Sequence, residues 1–149
     1  MATTLIPAVS VLVVDGAEFT RTLVRDILRR GGLRRVLEAA DGAAAIEMLA
    51  DARPDVMILD WDVGVIGAPE VVRMTRTASM SANPRLPIIA TIACPVRSTI
   101  DAALAAGVSE IVAKPFSARI LWSRLGEAVL GCRSFAEENG MLRPAARRA

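Results

Sequence analysis

Three charged side chains close three short apolar runs: Asp15 after residues 9–14, Asp60 after residues 56–59, and Lys114 after residues 110–113. Paired carboxylates suit a hard divalent cation such as Mg²⁺. A carboxylate can also act as nucleophile toward a phosphoryl donor and become an acyl phosphate. An ammonium beside it neutralises charge on the group in transfer. One charged end alone reads as a loop cap; three on three runs argue for a shared crevice.

The elements that must position these groups are legible as alternating patterns. Residues 9–14, 56–59 and 87–92 are near-continuous apolar runs, as a strand covered on both faces requires. Residues 35–39 and 110–113 are weaker strands. Between them lie helical patterns. Phe19, Leu23, Val24, Ile27 and Leu28 form one stripe, with Arg21, Arg25 and Arg29 on another face, and Gly31-Gly32 ends that helix. Asp41 is placed to cap a second helix carrying Ile46 and Leu49, and Pro54 closes the connection. Pro69 suits the first turn of a third, through Val71, Val72 and Met74. Ser98 and Ser117 are placed to cap a fourth and a fifth, Gly107 ends the fourth, and Leu121, Leu125 and Val129 share one face of the fifth. Five β-α repeats imply an α/β, doubly wound parallel sheet with helices on both faces. In such sheets the chemistry gathers beyond the carboxyl ends of the strands, where Asp15, Asp60, Ile92 and Lys114 fall.

Composition narrows the chemistry. A chain of 149 residues is one compact domain with a full core, and its 26 alanines favour close helix packing. There is no His and no Tyr, which excludes His-based general bases, His metal sites and Ser-His-Asp triads. Cys94 and Cys132 are too few for a disulfide scaffold or a zinc cluster and are expected as buried reduced thiols. The first apolar run has no basic residue before it, and the longest, residues 86–96, holds two prolines and is too short to span a bilayer. A soluble, cytoplasmic protein is expected. Residues 1–132 balance 14 basic against 14 acidic groups, so the net +2 resides in the tail, too little for a general nucleic-acid binder. Seventeen arginines accompany a single lysine, Lys114, and it stands at the crevice. No Gly-rich loop of the dinucleotide or Walker type supports an enzyme of another doubly wound family.

Val13-Val14-Asp15, Ala40-Asp41-Gly42, Pro54-Asp55, Leu59-Asp60-Trp61, Leu86-Pro87-Ile88-Ile89, Ala106-Gly107 and Lys114-Pro115-Phe116 together resemble the CheY-like receiver domain of two-component response regulators, over roughly residues 9–130. The resemblance implies a (βα)5 fold with strand order 2-1-3-4-5. It implies Asp60 as phosphoacceptor, Lys114 as its partner with a cis bond to Pro115, and Asp15 as the first of an acidic pair. Mg²⁺ would then be held by Asp15, Asp60 and the backbone carbonyl of Asp62. It also implies a histidine kinase or phosphotransfer protein as donor, and a downstream protein on the face of helix 4, strand 5 and helix 5, here including Ile111 and Trp122. The chain departs from the family at Gly16, where the second acidic residue stands, at Ile92 for the Thr or Ser, and at Ile111 for the aromatic switch. Val63-Gly64 replaces Met-Pro, and Ala68 replaces the loop glycine. A protein without enzymatic activity is expected, apart from self-phosphoryl transfer to Asp60.

The receiver is expected to end at residue 131, leaving residues 132–149 as an extension without periodicity, extended or disordered when free. Arg is a planar, forked donor for phosphates and bases. The pattern of Arg133-Ser134-Phe135, Arg143, Arg147 and Arg148 resembles a subgroup of CheY-like proteins whose Arg-rich tail binds cyclic di-GMP and acts at the flagellar motor. The resemblance therefore carries two functions: a phospho-regulated receiver, or a phosphorylation-independent adaptor. Contact with DNA or a membrane is not expected in either.

Overall fold

A computed structural model describes residues 8–131 and 133–145. The chain runs β1 (Ser10–Val14), α1 (Glu18–Arg30), β2 (Arg35–Ala39), α2 (Gly42–Asp51), β3 (Val56–Asp60), α3 (Ala68–Arg76), β4 (Ile88–Ile92), α4 (Arg97–Ala106), β5 (Glu110–Ala113), α5 (Ala118–Leu130), β6 (Phe135–Glu138) and β7 (Met141–Pro144). The first five strands form one parallel sheet in the order β2-β1-β3-β4-β5. This is the doubly wound α/β architecture that the alternating patterns and the family resemblance imply.

The continuous apolar strands are needed because both faces are covered. Leu12, Val14, Met57, Leu59, Ile88, Ala90 and Ile92 pack on one face with Ala45, Val71, Val72 and Ala103 from α2, α3 and α4. Val11, Val13, Val56, Ile58, Ile89 and Val112 pack on the other with Val24, Leu28, Leu121 and Leu125 from α1 and α5. Alternation along each strand divides the residues between the two cores. Asp41 caps α2 by accepting from the Ala44 amide at 2.8 Å, and Ser117 caps α5 by accepting from Ile120 at 3.2 Å. Pro69 occupies the first turn of α3. Gly107 ends α4 at φ +114°, a left-handed conformation suited to glycine.

Ser98 does not cap α4. The helix begins one residue earlier, at Arg97, because Val96 already has extended N-cap geometry and its carbonyl takes the Ile100 amide. Cys94 is exposed in the loop after β4 rather than buried, and Cys132 lies outside the described residues. Trp122 is half-buried against α1: a Cβ on Gly31 would come within 1.9 Å of its ring. Trp122 therefore packs away from the face proposed for partner contact, and Gly31 is required by close approach.

The tail also departs from expectation. Residues 135–144 form an antiparallel hairpin, with Asn139 and Gly140 turning at φ +52° and +77°. Asn-Gly between two short strands is a strong hairpin signal, too local for a periodicity search to register. Ala78 donates to the Gly140 carbonyl, and Thr77 bridges to Met141. The hairpin thus docks where α3 ends, beside the sheet's amino-terminal edge.

Arg76 anchors that edge. It is completely buried at the end of α3, on the same helical stripe as Ala68, Val72 and Thr75. Its guanidinium donates to the carbonyls of Gly107, Pro84 and Leu86 at 2.9, 2.9 and 2.6 Å and to Ser109 Oγ at 3.4 Å, while the Phe135 ring lies 5.2 Å away. The Gly107 carbonyl belongs to the negative end of α4. Burial, with Arg133 nearby, lowers the Arg76 pKa to about 9, so it stays charged at neutral pH. Arg76→Met should strand these acceptors and cost on the order of 3 kcal/mol in urea unfolding. A loss below about 1 kcal/mol would show that the carbonyls find other partners.

Candidate functional site

The parallel register brings three strand ends together. Asp60 lies opposite Thr91, and Ile92 lies opposite Ala113. Beyond the edge, the Asp15 amide donates to the Ala39 carbonyl and the Lys114 amide to the Ile92 carbonyl, so both residues continue the sheet by one hydrogen bond. The bond from Lys114 to Pro115 is cis.

The side chains converge on one cation. Lys114 Nζ stands 3.0 Å from Asp15 Oδ2 and 3.2 Å from Asp60 Oδ1. Asp15 and Asp60 are buried, and Lys114 is partly so. Asp15 Oδ1 accepts from the Ala17 amide at 2.8 Å, and Asp60 Oδ1 accepts from the Asp62 amide at 3.3 Å. Burial alone would lower the Lys114 pKa; its hydrogen bonds to Asp15 and Asp60, and their charges, outweigh that and raise it above the usual 10.5. Lys114 is therefore charged throughout the neutral range, and the stability its raised pKa contributes is lost as pH climbs through the raised value.

This arrangement has relatives. A response regulator receiver domain model matches residues 11–125. The chain belongs to the response regulator receiver family. It is 36% identical over 121 residues to the chemotaxis protein CheY1 of Helicobacter pylori, covering 80% of this chain and 95% of that protein. It is 30% identical over 115 residues to the chemotaxis protein CheY of Pseudomonas aeruginosa, covering 77% and 91%. Among solved structures, it is similar to CheY4 of Vibrio cholerae, with TM-score 0.73 and 28% identity over 80% of this chain and 98% of that one. It is similar, too, to the receiver domain of a P. aeruginosa sensor histidine kinase, with TM-score 0.74 and 28% identity over 82% and 98%; that structure has a magnesium ion coordinated in its active site cleft.

This receiver offers such an ion a reduced donor set. Asp15 accepts one hydrogen bond on each oxygen, from Ala17 and from Lys114. Gly16 supplies no carboxylate, and Asp62 reaches Asp60 through its amide, with its side chain exposed. Among the described residues no three acidic, His or Cys side chains are grouped to hold a metal. Two carboxylates with Lys114 between them are a weaker set for Mg²⁺ than one with a further carboxylate, because the ammonium already offsets part of their charge.

Two further departures are apolar. Ile92 is buried in the core beneath α2, α3 and α4, and Ile111 is half-buried against that same cluster. Neither presents a hydroxyl or an aromatic ring. Thr91 lies one position from Ile92 along the strand and so on the other face of the sheet from it.

Of the remaining sequence candidates, Arg133 is partly buried, with Nη1 donating to the Ser109 carbonyl and Nη2 lying 3.8 Å from Glu110. Arg143 donates to the Ala105 carbonyl at 2.7 Å. Neither stands as a free clamp, and neither is near the crevice. Arg147 and Arg148 lie outside the described residues. Sequence reasoning missed Arg76, although its place four residues after Val72 puts it on the apolar face of α3.

Gly16 leaves space: a Cβ there would meet only the Ala40 carbonyl oxygen, at 3.7 Å, an ordinary contact. Gly16→Asp should therefore fold and raise Mg²⁺ affinity roughly tenfold or more by calorimetric titration, since affinity follows ligand charge. Equal binding by parent and variant would show that the missing carboxylate is not what limits this site.

Proposed function

We propose that this receiver signals through protein contact, with Asp60 as its phosphoacceptor. The carrying observation is Lys114 Nζ, 3.2 Å from Asp60 Oδ1. The ammonium holds one oxygen, while Oδ2 takes no donor among the described residues. Oδ2 attacks phosphorus in the donor, a phosphohistidine of a histidine kinase or phosphotransfer protein. The new P–O bond forms as the P–N bond breaks, and its electron pair leaves with the imidazole, which takes up a proton. The product is an acyl phosphate whose added negative charge Lys114 offsets. Gly16 and the apolar Ile92 make this a slow acceptor.

The output is contact with a downstream protein through α4, β5 and α5. Leu104 on α4 and Ile120 on α5 are exposed, and Ile111 on β5 is half-buried. The reading places this work in the cytoplasm without a membrane partner; no described helix is long and apolar enough to cross a membrane. DNA is not proposed as a partner, nor any enzymatic activity beyond self-phosphoryl transfer.

A second reading is a phosphorylation-independent adaptor, favoured by the ammonium already seated between Asp15 and Asp60. Its cyclic di-GMP version has less support, because Arg133 and Arg143 are engaged within the chain. Incubation with acetyl phosphate and Mg²⁺, read by intact mass, separates the two. An adduct on the parent that is absent in Asp60→Asn is the expected result. No adduct on the parent would overturn the phosphoacceptor and leave the adaptor.

A further inference from the structure

We propose that the β6–β7 hairpin is a clamp on the α4–β5 edge, holding the last turn of α4 and the first residues of β5 in one arrangement while docked and freeing them when it lifts. The proposal rests on the reading of α4, β5 and α5 as the output face, and it names how that face is regulated.

The contacts converge on one short stretch of chain. Arg143 holds the Ala105 carbonyl in the last turn of α4. Arg133 holds the Ser109 carbonyl and pairs with Glu110, where β5 begins. Arg76 joins the Gly107 carbonyl between them and carries the Phe135 ring over its guanidinium. Ala78 and Thr77 tie the turn end of the hairpin to the end of α3. Three arginines thus grip the carbonyls of residues 105, 107 and 109, two of them from the extension. Carbonyls at a helix carboxyl end carry partial negative charge and favour such partners.

The hold is built to be reversible. No residue of β6 or β7 is fully buried, and the Arg143 bond is exposed. Two strands of four residues are marginal on their own. Segments with few buried apolar contacts open at low free energy compared with a core. Docking also brings Arg133 toward the buried Arg76, a like-charge approach offset by Glu110. Lifting the hairpin separates these cations and uncovers Arg76 where Phe135 lay.

The position of the clamp matches what the crevice lacks. Ile92, at the carboxyl end of β4, and Ile111 on β5 pack as apolar side chains in the cluster that includes Ala103 of α4. Polar control of α4 and β5 enters from the opposite, amino-terminal end, through the extension.

Hydrogen–deuterium exchange on the full chain tests this. The parent is compared with an Arg133→Ala/Arg143→Ala double variant and with Gly140→Val, which disfavours the turn at φ +77° without touching α4 or β5. Both variants should release the hairpin amides and raise exchange over residues 103–112 by about tenfold or more, leaving β1 and β3 unchanged. Three outcomes would overturn the clamp: released hairpin amides with residues 103–112 unchanged, an equal rise in β1 and β3, or a hairpin that stays protected in both variants. Adduct formation at Asp60 is read separately, so loss of the phosphoacceptor and loss of the clamp are distinguishable.

Discussion

The carboxyl end of the sheet depends on one ammonium. Parallel strands bring Asp15 and Asp60 together as neighbours, and two buried carboxylates so placed repel. Lys114 reaches both at hydrogen-bonding distance and removes that conflict. Because Lys114 follows β5, separated from β1 by β3 and β4, the same contacts tie the first, third and fifth strand ends into one crevice. With Gly16 in place of a further carboxylate, two negative charges face one positive charge. The crevice is closer to balanced than a site built to capture a divalent ion, and the ammonium holds it in order.

The opposite end of the sheet meets a different problem with a different cation. There the groups needing partners are carbonyls at the end of α4 and ahead of β4. A compact ammonium cannot reach so many acceptors at once, whereas a planar guanidinium with five donors can. Arg76 is buried among them, and the extension adds Arg133 and Arg143 around it. The two ends are linked by α4 and β5: their carboxyl-side loops border the crevice, and their amino-side junction is gripped by the hairpin. A receiver with Ile92 and Ile111, and so without a hydroxyl or an aromatic ring at those positions, still has a polar handle on that junction.

Much of this is legible in the sequence because the fold is repetitive. The strands at residues 35–39 and 110–113 coincide with β2 and β5, and the charged ends of three strands mark the crevice. Asp41, Ser117 and Gly107 announce their helix ends through local chemistry. What escapes a periodicity reading is local or tertiary. The hairpin consists of four-residue strands around Asn139-Gly140, too short to show a period. Arg76 sits on an apolar stripe, but a charge is read as solvated unless its acceptors are known, and those come from residues 84–109. Trp122 packs against a glycine ninety-one positions away in the chain, a contact that no single-helix pattern reveals.

Lys114 is the only lysine in the chain, so its ε-carbon gives one unambiguous side-chain resonance. Following that resonance through an alkaline titration by NMR tests the bridging ammonium directly. The account predicts a midpoint above the usual 10.5, falling toward it in Asp15→Asn and again in Asp60→Asn. A midpoint at or below 10.5 in the parent, unmoved by either substitution, would mean that the ammonium does not bridge the two carboxylates.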